Sequence, residues 1–509
     1  MYRRCGSPAL YIPLAGKQGE RMRTRNWIVL TLAIAASACS SNGSNPGDGD
    51  AGDVANVDAS LTAIDGASGA DANTTSNADA GTVSCPQPSN LNRGRTWVRN
   101  NRMFISGLMP GMPDPSSAQV GDYFDTFGAT AAHFWEDGLP GTQAAWATMS
   151  HPNYRFLSWT HSDGTIVSNG QVVGGVPNLP GRIGYQIGDE PVTMADFNEH
   201  MGGVTAVRNA DPDALIVFNF TTSRAQDLTT QLAVASASAD VDVLSYDLYT
   251  YTQDAYEALS VIRDSALASN KVYWRYLNSF HDITESGSSL TESDMRWDAF
   301  VGLVYGFTGH SWFVYQIGAA HGMASDFFTG VGDFGSTKTN HFNIAADLNR
   351  QMAHVGRVLT QLVSTDVRYI PAQSYLQPDG TQNWSAGAGG DDFITNMRTV
   401  SNEWHEMLAG FFSDDCGDTY VMLQNANHTD GNFPTVLDQD ETIRVDFDFS
   451  SAPAGFDKTA VDVFNKTNGT VTSVSLSGTG DARSLEFTLV PGDIYFFKYR
   501  TGRPFAIQP

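Results

Sequence analysis

The stretch RIGYQIGDEP, residues 182–191, sets a short, largely uncharged run against a glycine, two adjacent carboxylates and a proline. A run of this length that ends in turn residues reads as a buried strand, and Pro191 marks the turn into a following helix. An acidic residue beside a proline at a helix start is stabilised by the helix dipole. Glu190 therefore has two readings, a helix start or a chemical group.

The same pattern recurs along the chain. Comparable runs are RMFISGL (102–108), ATAAHFW (129–135), YRFLSWT (154–160), ALIVFNF (214–220), VDVLSYDLY (241–249), KVYWRYLN (271–278) and GHSWFVYQ (309–316). With 182–188 in fourth place they make eight, each followed by a polar loop and helix-compatible sequence. Near-continuous apolar strands alternating with helices are what a buried parallel sheet requires, and about eight such units in about 250 residues match a (β/α)8 TIM barrel. The helix after the eighth run is the clearest, with Ala345, Leu348, Met352, Val355, Leu359 and Leu362 in steps of three and four. After Cys416 the texture changes to alternation, as in TIRVDFDF with Ile443, Val445, Phe447 and Phe449 on one face. This predicts a small antiparallel β-sandwich over 416–509, with the barrel over 85–415. Residues 365–415 are open between helix and an extended arm.

The 509 residues are 41% hydrophobic and 17% charged, enough for two or three cores. Thirty Lys and Arg against 55 Asp and Glu give a net charge of −25, which argues against nucleic acid and anionic lipid as partners and favours a neutral or cationic one. Near the start, MRTRNWIVLTLAIAASAC (22–39) joins Arg23 and Arg25 to an apolar stretch and small residues before Cys39. It is too short for a stable transmembrane helix. It resembles a bacterial lipoprotein signal, which implies Met22 as the start, lipidation of Cys39, and export to the outer membrane or cell surface; an ordinary cleaved signal would give a secreted protein. Removing residues 1–38 takes six Lys or Arg and one Glu, so the mature charge falls from −25 to −30. Residues 40–84 hold no Lys, Arg or aromatic residue and read as a disordered tether. Of the four cysteines, Cys5 and Cys39 belong to the leader and lipid site; Cys85 and Cys416 either pair in an oxidising envelope or stay as buried thiols.

In a barrel of this kind function sits at the C-terminal strand ends. Those ends carry His133, Trp135, Glu136 and Asp137; Trp159, His161 and Asp163; Asp189 and Glu190; Tyr246, Asp247 and Tyr249; Asn278, His281 and Asp282; and Tyr315 and Gln316. Aromatic faces stack on the C–H face of a pyranose, and paired carboxylates cleave acetals, so this rim suits a sugar. The expected sugar-binding set is Trp135, Glu136, Asp137, Trp159, Asp189, Tyr246, Tyr249, Asn278, Tyr315 and Gln316. The histidines lack metal-ligand spacing, and there is no phosphate loop or nucleophile elbow, so neither a metal nor another cofactor is expected.

GRIGYQIGDEP, VDVLSYDLYTY, VYGFTGHSWFVY, LNRQMAHVGRVLTQL and the terminal sandwich together resemble the large (β/α)8 retaining clan of glycoside hydrolases, its β-galactosidase-like members in particular, over about residues 97–509. The resemblance implies an acid/base glutamate after the fourth strand, a role that falls on Glu190. The clan has Asn before that residue, where Asp189 stands, and a nucleophilic glutamate after the seventh strand, where Asn278 stands. The partner carboxylate is therefore open: Asp247 first, then Glu136, Asp137 or Asp282. The expected function is a surface-tethered glycosidase acting on an oligo- or polysaccharide; the alternatives are a glycan-binding barrel without chemistry and a structural envelope protein. Oligomeric state, sugar and linkage are not legible.

Overall fold

The computed structural model describes residues 85–508, apart from 86–87, 89, 110–115, 135–145, 161–164, 167–170, 173–180, 222–224, 251–253, 285–287, 318–320, 331–336, 371–376, 401–405 and 430–438. The leader, the lipidation site Cys39, the tether, and Trp135, Glu136, Asp137, His161 and Asp163 lie outside the described residues. Eight parallel strands close into a barrel: β1 (Phe104–Met109), β2 (Ala132–Phe134), β3 (Phe156–Thr160), β4 (Arg182–Ile187), β5 (Leu215–Thr221), β6 (Val243–Asp247), β7 (Val272–Asn278) and β8 (Gly309–Phe313). The ring closes where Phe104 of β1 pairs with Gly309 of β8. These are the eight runs read from the sequence, in the same order.

Alternation along each strand sorts the side chains into two cores. Phe104, Leu157, Val217, Val243 and Trp274 point inward and fill the lower barrel, whose base is plugged by Val98 of α1 (Arg93–Asn100). Ile105, Phe134, Tyr185, Phe218, Leu244 and Leu277 point outward against the helices. Between the lower core and the mouth lies a polar layer: Ser106 donates to Ser311 (2.9 Å), the His133 Nδ1 lies 3.2 Å from the Ser311 Oγ, and the Tyr276 hydroxyl donates to the Gln186 Oε1 (2.7 Å).

The outer layer is uneven. A short helix α2 (Ser117–Gly121) runs into a π-helical turn after β1, and between β3 and β4 the described residues hold a ribbon, Thr165–Ile166 against Gln171–Val172, and no helix. From β4 onward each strand is followed by a full helix: α3 (Met194–Ala210), α4 (Leu228–Ala237), α5 (Asp254–Ala268), α6 (Glu292–Tyr305) and α7 (Asn340–Leu359). Ala345, Leu348, Met352, Val355 and Leu359 of α7 are buried, as their spacing requires, and each large one contributes about 1.5–3 kcal/mol. No helix among the described residues is long and apolar enough to cross a membrane.

The sandwich begins at Val363, well before the change of texture at Cys416. Among the described residues its strands are β9 (Val363–Ile370), β10 (Ile394–Thr399), β11 (Met407–Ser413), β12 (Thr419–Asn425), β13 (Glu441–Asp448), β14 (Asp457–Asn465), β15 (Thr470–Ser475), β16 (Ser477–Thr479), β17 (Ala482–Leu489) and β18 (Ile494–Arg500). They form a six-stranded sheet, β9-β11-β12-β18-β14-β15, and a four-stranded sheet, β10-β13-β17-β16. Strands β11 and β12 of the six-stranded sheet are buried on both faces. Met407, Ala409, Phe411, Val421 and Leu423 face the second sheet, while Leu408, Phe412, Tyr420 and Met422 join the barrel's outer core. Strands so placed lose their polar alternation, which is why MLAGFF did not declare itself a strand.

Cys85 and Cys416 form a disulfide, with Cα atoms 5.0 Å apart. It ties the start of the folded body to the turn between β11 and β12. Beside it Arg99 of α1 donates to both carboxylate oxygens of Asp415, each at 2.6 Å.

Candidate active site

The turn after β4 is built to expose carboxylates. Gly188 has φ 58°, and a Cβ there would lie 2.4 Å from the His200 ring, so the position requires glycine. Glu190 also adopts positive φ, 42°, a conformation that costs a non-glycine residue about 1–2 kcal/mol. Helix α3 starts only at Met194, where Thr193 and Asp196 form a reciprocal capping box. Glu190 is therefore not the helix cap. Positive φ at an acid that lies outside the helix cap makes Glu190 a candidate for function.

Two further polar groups rise from the neighbouring strands. Asn219 of β5 and Asp247 of β6 both occupy inward positions, 1% and 8% exposed. The Asn219 amide nitrogen donates to the Asp189 Oδ1 (2.8 Å) and to the Asp247 Oδ1 (3.2 Å). One amide thus holds two carboxylate oxygens within about 6 Å of each other, and their charge fixes which way the amide faces. The Tyr249 hydroxyl also donates to Asp247. Burial first, then the charges of Asp247 and Asp189, push the Tyr249 phenol far above its ordinary value; burial and the same two charges act on Tyr276. Both phenols stay protonated as donors.

These groups open into a cleft of about 560 Å³ at the C-terminal mouth, lined by Asp189, Glu190, Asn219 and Asp247 below and by Trp159, Tyr249, Tyr276, Phe280, Phe313 and Met323 around. The volume falls in the range of small-ligand sites. Tyr249 stacks on Phe313 at 5.4 Å, and the Phe280 ring meets both edge-on. Phe280 and Met323 come from a ribbon, Phe280–Asp282 against Met323–Ser325, that folds over the mouth. A larger hollow of about 730 Å³ lies at the opposite end, where Arg102, Thr130 and Arg155 precede their strands. It lacks paired carboxylates and sits away from the strand ends that carry them.

Of the expected residues, Glu190, Asp247, Asp189, Trp159 and Tyr249 meet in this cleft. Tyr246 and Tyr315 do not. Tyr246 follows inward Ser245 and precedes inward Asp247, so it points out of the barrel, where the Arg275 guanidinium lies 5.7 Å from its ring. Tyr315 is buried beneath α7 among Tyr123, Phe127 and Phe328, and Gln316 is buried beside it without lining the cleft. Asn278 turns the chain: its Oδ1 accepts from the Phe280 backbone N–H at 3.2 Å. Asp282 ends the ribbon strand, is exposed, takes donors from Thr284 that hold its carboxyl below the usual range, and does not line the cleft. His133 lies in the polar layer below the mouth, and His281 is engaged by Asp326 at 2.5 Å. The sequence reading missed Asn219, Tyr276, Phe280, Phe313 and Met323. Strand parity was the signal for Asn219, which stands two residues beyond inward Val217.

No family model matches the chain, and no curated protein does. Solved structures similar to it include a glycoside hydrolase family 5 protein from Bacteroides vulgatus, at 11% identity and TM-score 0.48 over 80% of this chain and 92% of that one. A family 30 endoxylanase from Clostridium papyrosolvens is similar at 10% identity and TM-score 0.36, over 78% and 96%. A family 44 endoglucanase from Clostridium thermocellum is similar at 12% identity and TM-score 0.34, over 79% and 97%.

Proposed function

We propose that the protein is a glycoside hydrolase, with Glu190 as the general acid and Asp247 as the opposing carboxylate. The observation that carries this reading is the convergence of Asp189, Glu190 and Asp247 on one aromatic-walled cleft at the C-terminal end of the barrel. Acetal cleavage needs a proton at the leaving oxygen and a negative group facing the developing oxocarbenium ion. Glu190, partly exposed on its strained turn, is suited to exchange protons with substrate and water. Asp247, buried and receiving donors from Asn219 and Tyr249, is suited to hold charge against the sugar ring. Trp159 and Tyr249 offer faces for the sugar.

The protein acts outside the cytoplasm, tethered through a lipid on Cys39. The sequence before Cys39 and the Cys85–Cys416 disulfide support this, since such bonds persist in oxidising compartments. Glu190→Gln is expected to lower kcat on a natural glycan by about 10²–10⁴. It is expected to keep much more of the rate on an aryl glycoside whose leaving group needs no proton. Equal losses on both substrates would remove Glu190 as the acid.

A second reading, a glycan-binding barrel without chemistry, draws on Asn278, which stands where the resemblance implies a nucleophile. Calorimetry that finds glycan binding by wild type, with no product after prolonged incubation, would select it.

A further inference from the structure

The hollow at the base of the barrel carries charge of the opposite sign to the chain. Its cations come from two directions. Arg102 and Arg155 stand just before β1 and β3, the strands that flank β2. Arg350, His354 and Arg357 of α7 are spaced by four and then three residues, so they share one face of that helix. Four arginines thus line a space of about 730 Å³. Among the described residues that line it, the only carboxylate is Asp125, which lies 3.2 Å from the His151 Nε2. The whole chain has 55 Asp and Glu to 30 Lys and Arg, so composition does not account for this local excess of cations.

Ion pairs within the fold do not absorb these charges. Arg350 pairs with Asp347 at 3.1 Å. Arg155 donates to the Asn101 Oδ1 at 2.6 Å, and Arg357 donates to the Gln508 carbonyl at 3.1 and 3.2 Å, so both have neutral partners. Arg102 is exposed and has no hydrogen bond or ion pair among the described residues. A guanidinium stays charged at any working pH, and its flat fork of donors matches a carboxylate, sulfate or phosphate. Several such groups facing one concavity focus a positive potential there. The rest of the lining suits a hydroxylated ring. Trp97 is partly exposed, and the side-chain amides of Asn100 and Asn153 have no hydrogen-bond partner among the described residues. An indole stacks on the C–H face of a sugar, and an amide pairs with hydroxyls. The volume is that of a small-molecule site, far more than one inorganic anion fills.

We infer that this basal hollow is a second binding site, for an acidic saccharide bearing carboxylate or sulfate groups. The inference goes beyond the hydrolase reading and uses none of the cleft residues, so it stands whether or not the mouth does chemistry. Arg102 and Arg155 on one side and the α7 arginines on the other hold the anionic groups, while Trp97 and the asparagines take the ring between them. The net charge of −25 opposes an anion only at a distance. At about 150 mM salt that repulsion is screened beyond about 8 Å, and inside the hollow the arginines decide. A saccharide held there keeps the protein on an acidic glycan while the mouth, at the other end of the barrel, stays open.

The test is calorimetric titration of the full-length protein, at about 150 mM salt, with oligogalacturonides, sulfated gluco-oligosaccharides, neutral gluco-oligosaccharides and sodium sulfate. At least one acidic saccharide is expected to bind about tenfold or more tighter than the neutral one, and the tighter of the two tells carboxylate from sulfate as the recognised group. Arg102 makes no contact that a substitution would break, so Arg102→Glu should keep the melting temperature and weaken that binding by about tenfold or more. Arg155→Gln should weaken it too, and Glu190→Gln in the cleft should leave it unchanged. Four results each overturn the inference: no binding of either acidic saccharide, equal binding of the neutral one, sodium sulfate binding as tightly as the saccharides, or an affinity that neither arginine substitution changes.

Discussion

At the scale of single residues, Asn219 organises the cleft floor, because one side chain fixes the spacing of two carboxylates, Asp189 on the turn after β4 and Asp247 at the end of β6. Asn219→Ala is expected to lower kcat by about 10–100-fold while KM changes less, since the reacting groups lose their alignment. Steady-state kinetics check this, and an unchanged kcat would contradict it. His133, below the mouth, bears on stability. Burial lowers its pKa from 6.5 to about 3. The folded form therefore stays neutral where the unfolded chain takes up a proton, so stability is lost as pH falls from 6.5 toward 3. Relative to His133→Gln, wild type should lose about 1.4 kcal/mol per pH unit below 6.5 in denaturant titrations. The sequence displayed Glu190 and Asp247 because both follow clear apolar runs. It misplaced Tyr246 because proximity to a strand end was weighed above parity. Within β6, Tyr246 stands one position before inward Asp247 and so faces the helices.

At the scale of elements, the eight barrel strands were legible because parallel strands are covered on both sides and read as continuous apolar runs. The same property hid β11 in the sandwich: with barrel helices on one face and a second sheet on the other, it carries no alternation to announce it. Close packing of these layers makes a sharp prediction. A Cβ at Gly410 of β11 would stand 2.2 Å from the Val304 carbonyl of α6. Gly410→Ala should therefore destabilise the protein by about 1–3 kcal/mol, read as a lower melting temperature. The β4–α3 turn was only half legible. Its glycine, acids and proline marked a turn, but the true cap, Thr193, and the positive φ of Glu190 are properties of the folded backbone.

At the scale of the whole molecule, the disulfide joins positions 331 residues apart, binding the segment that leads into the barrel to the sandwich turn. Reduction should cost about 2–5 kcal/mol and lower the melting temperature, and Cys416→Ser should be insensitive to reductant. Cysteine counting gave two outcomes for this pair, and only the fold brings Cys85 and Cys416 together. The central claim is that the acidic cleft cleaves glycosidic bonds. It is tested most directly by product release from a panel of glycans by wild type and Asp247→Asn, with melting temperatures measured in parallel. The account predicts cleavage of at least one glycan by wild type, and a fall of about 100-fold or more in the variant at an unchanged melting temperature. Equal rates from both proteins, or no cleavage by wild type of a glycan it binds in this cleft, would contradict it.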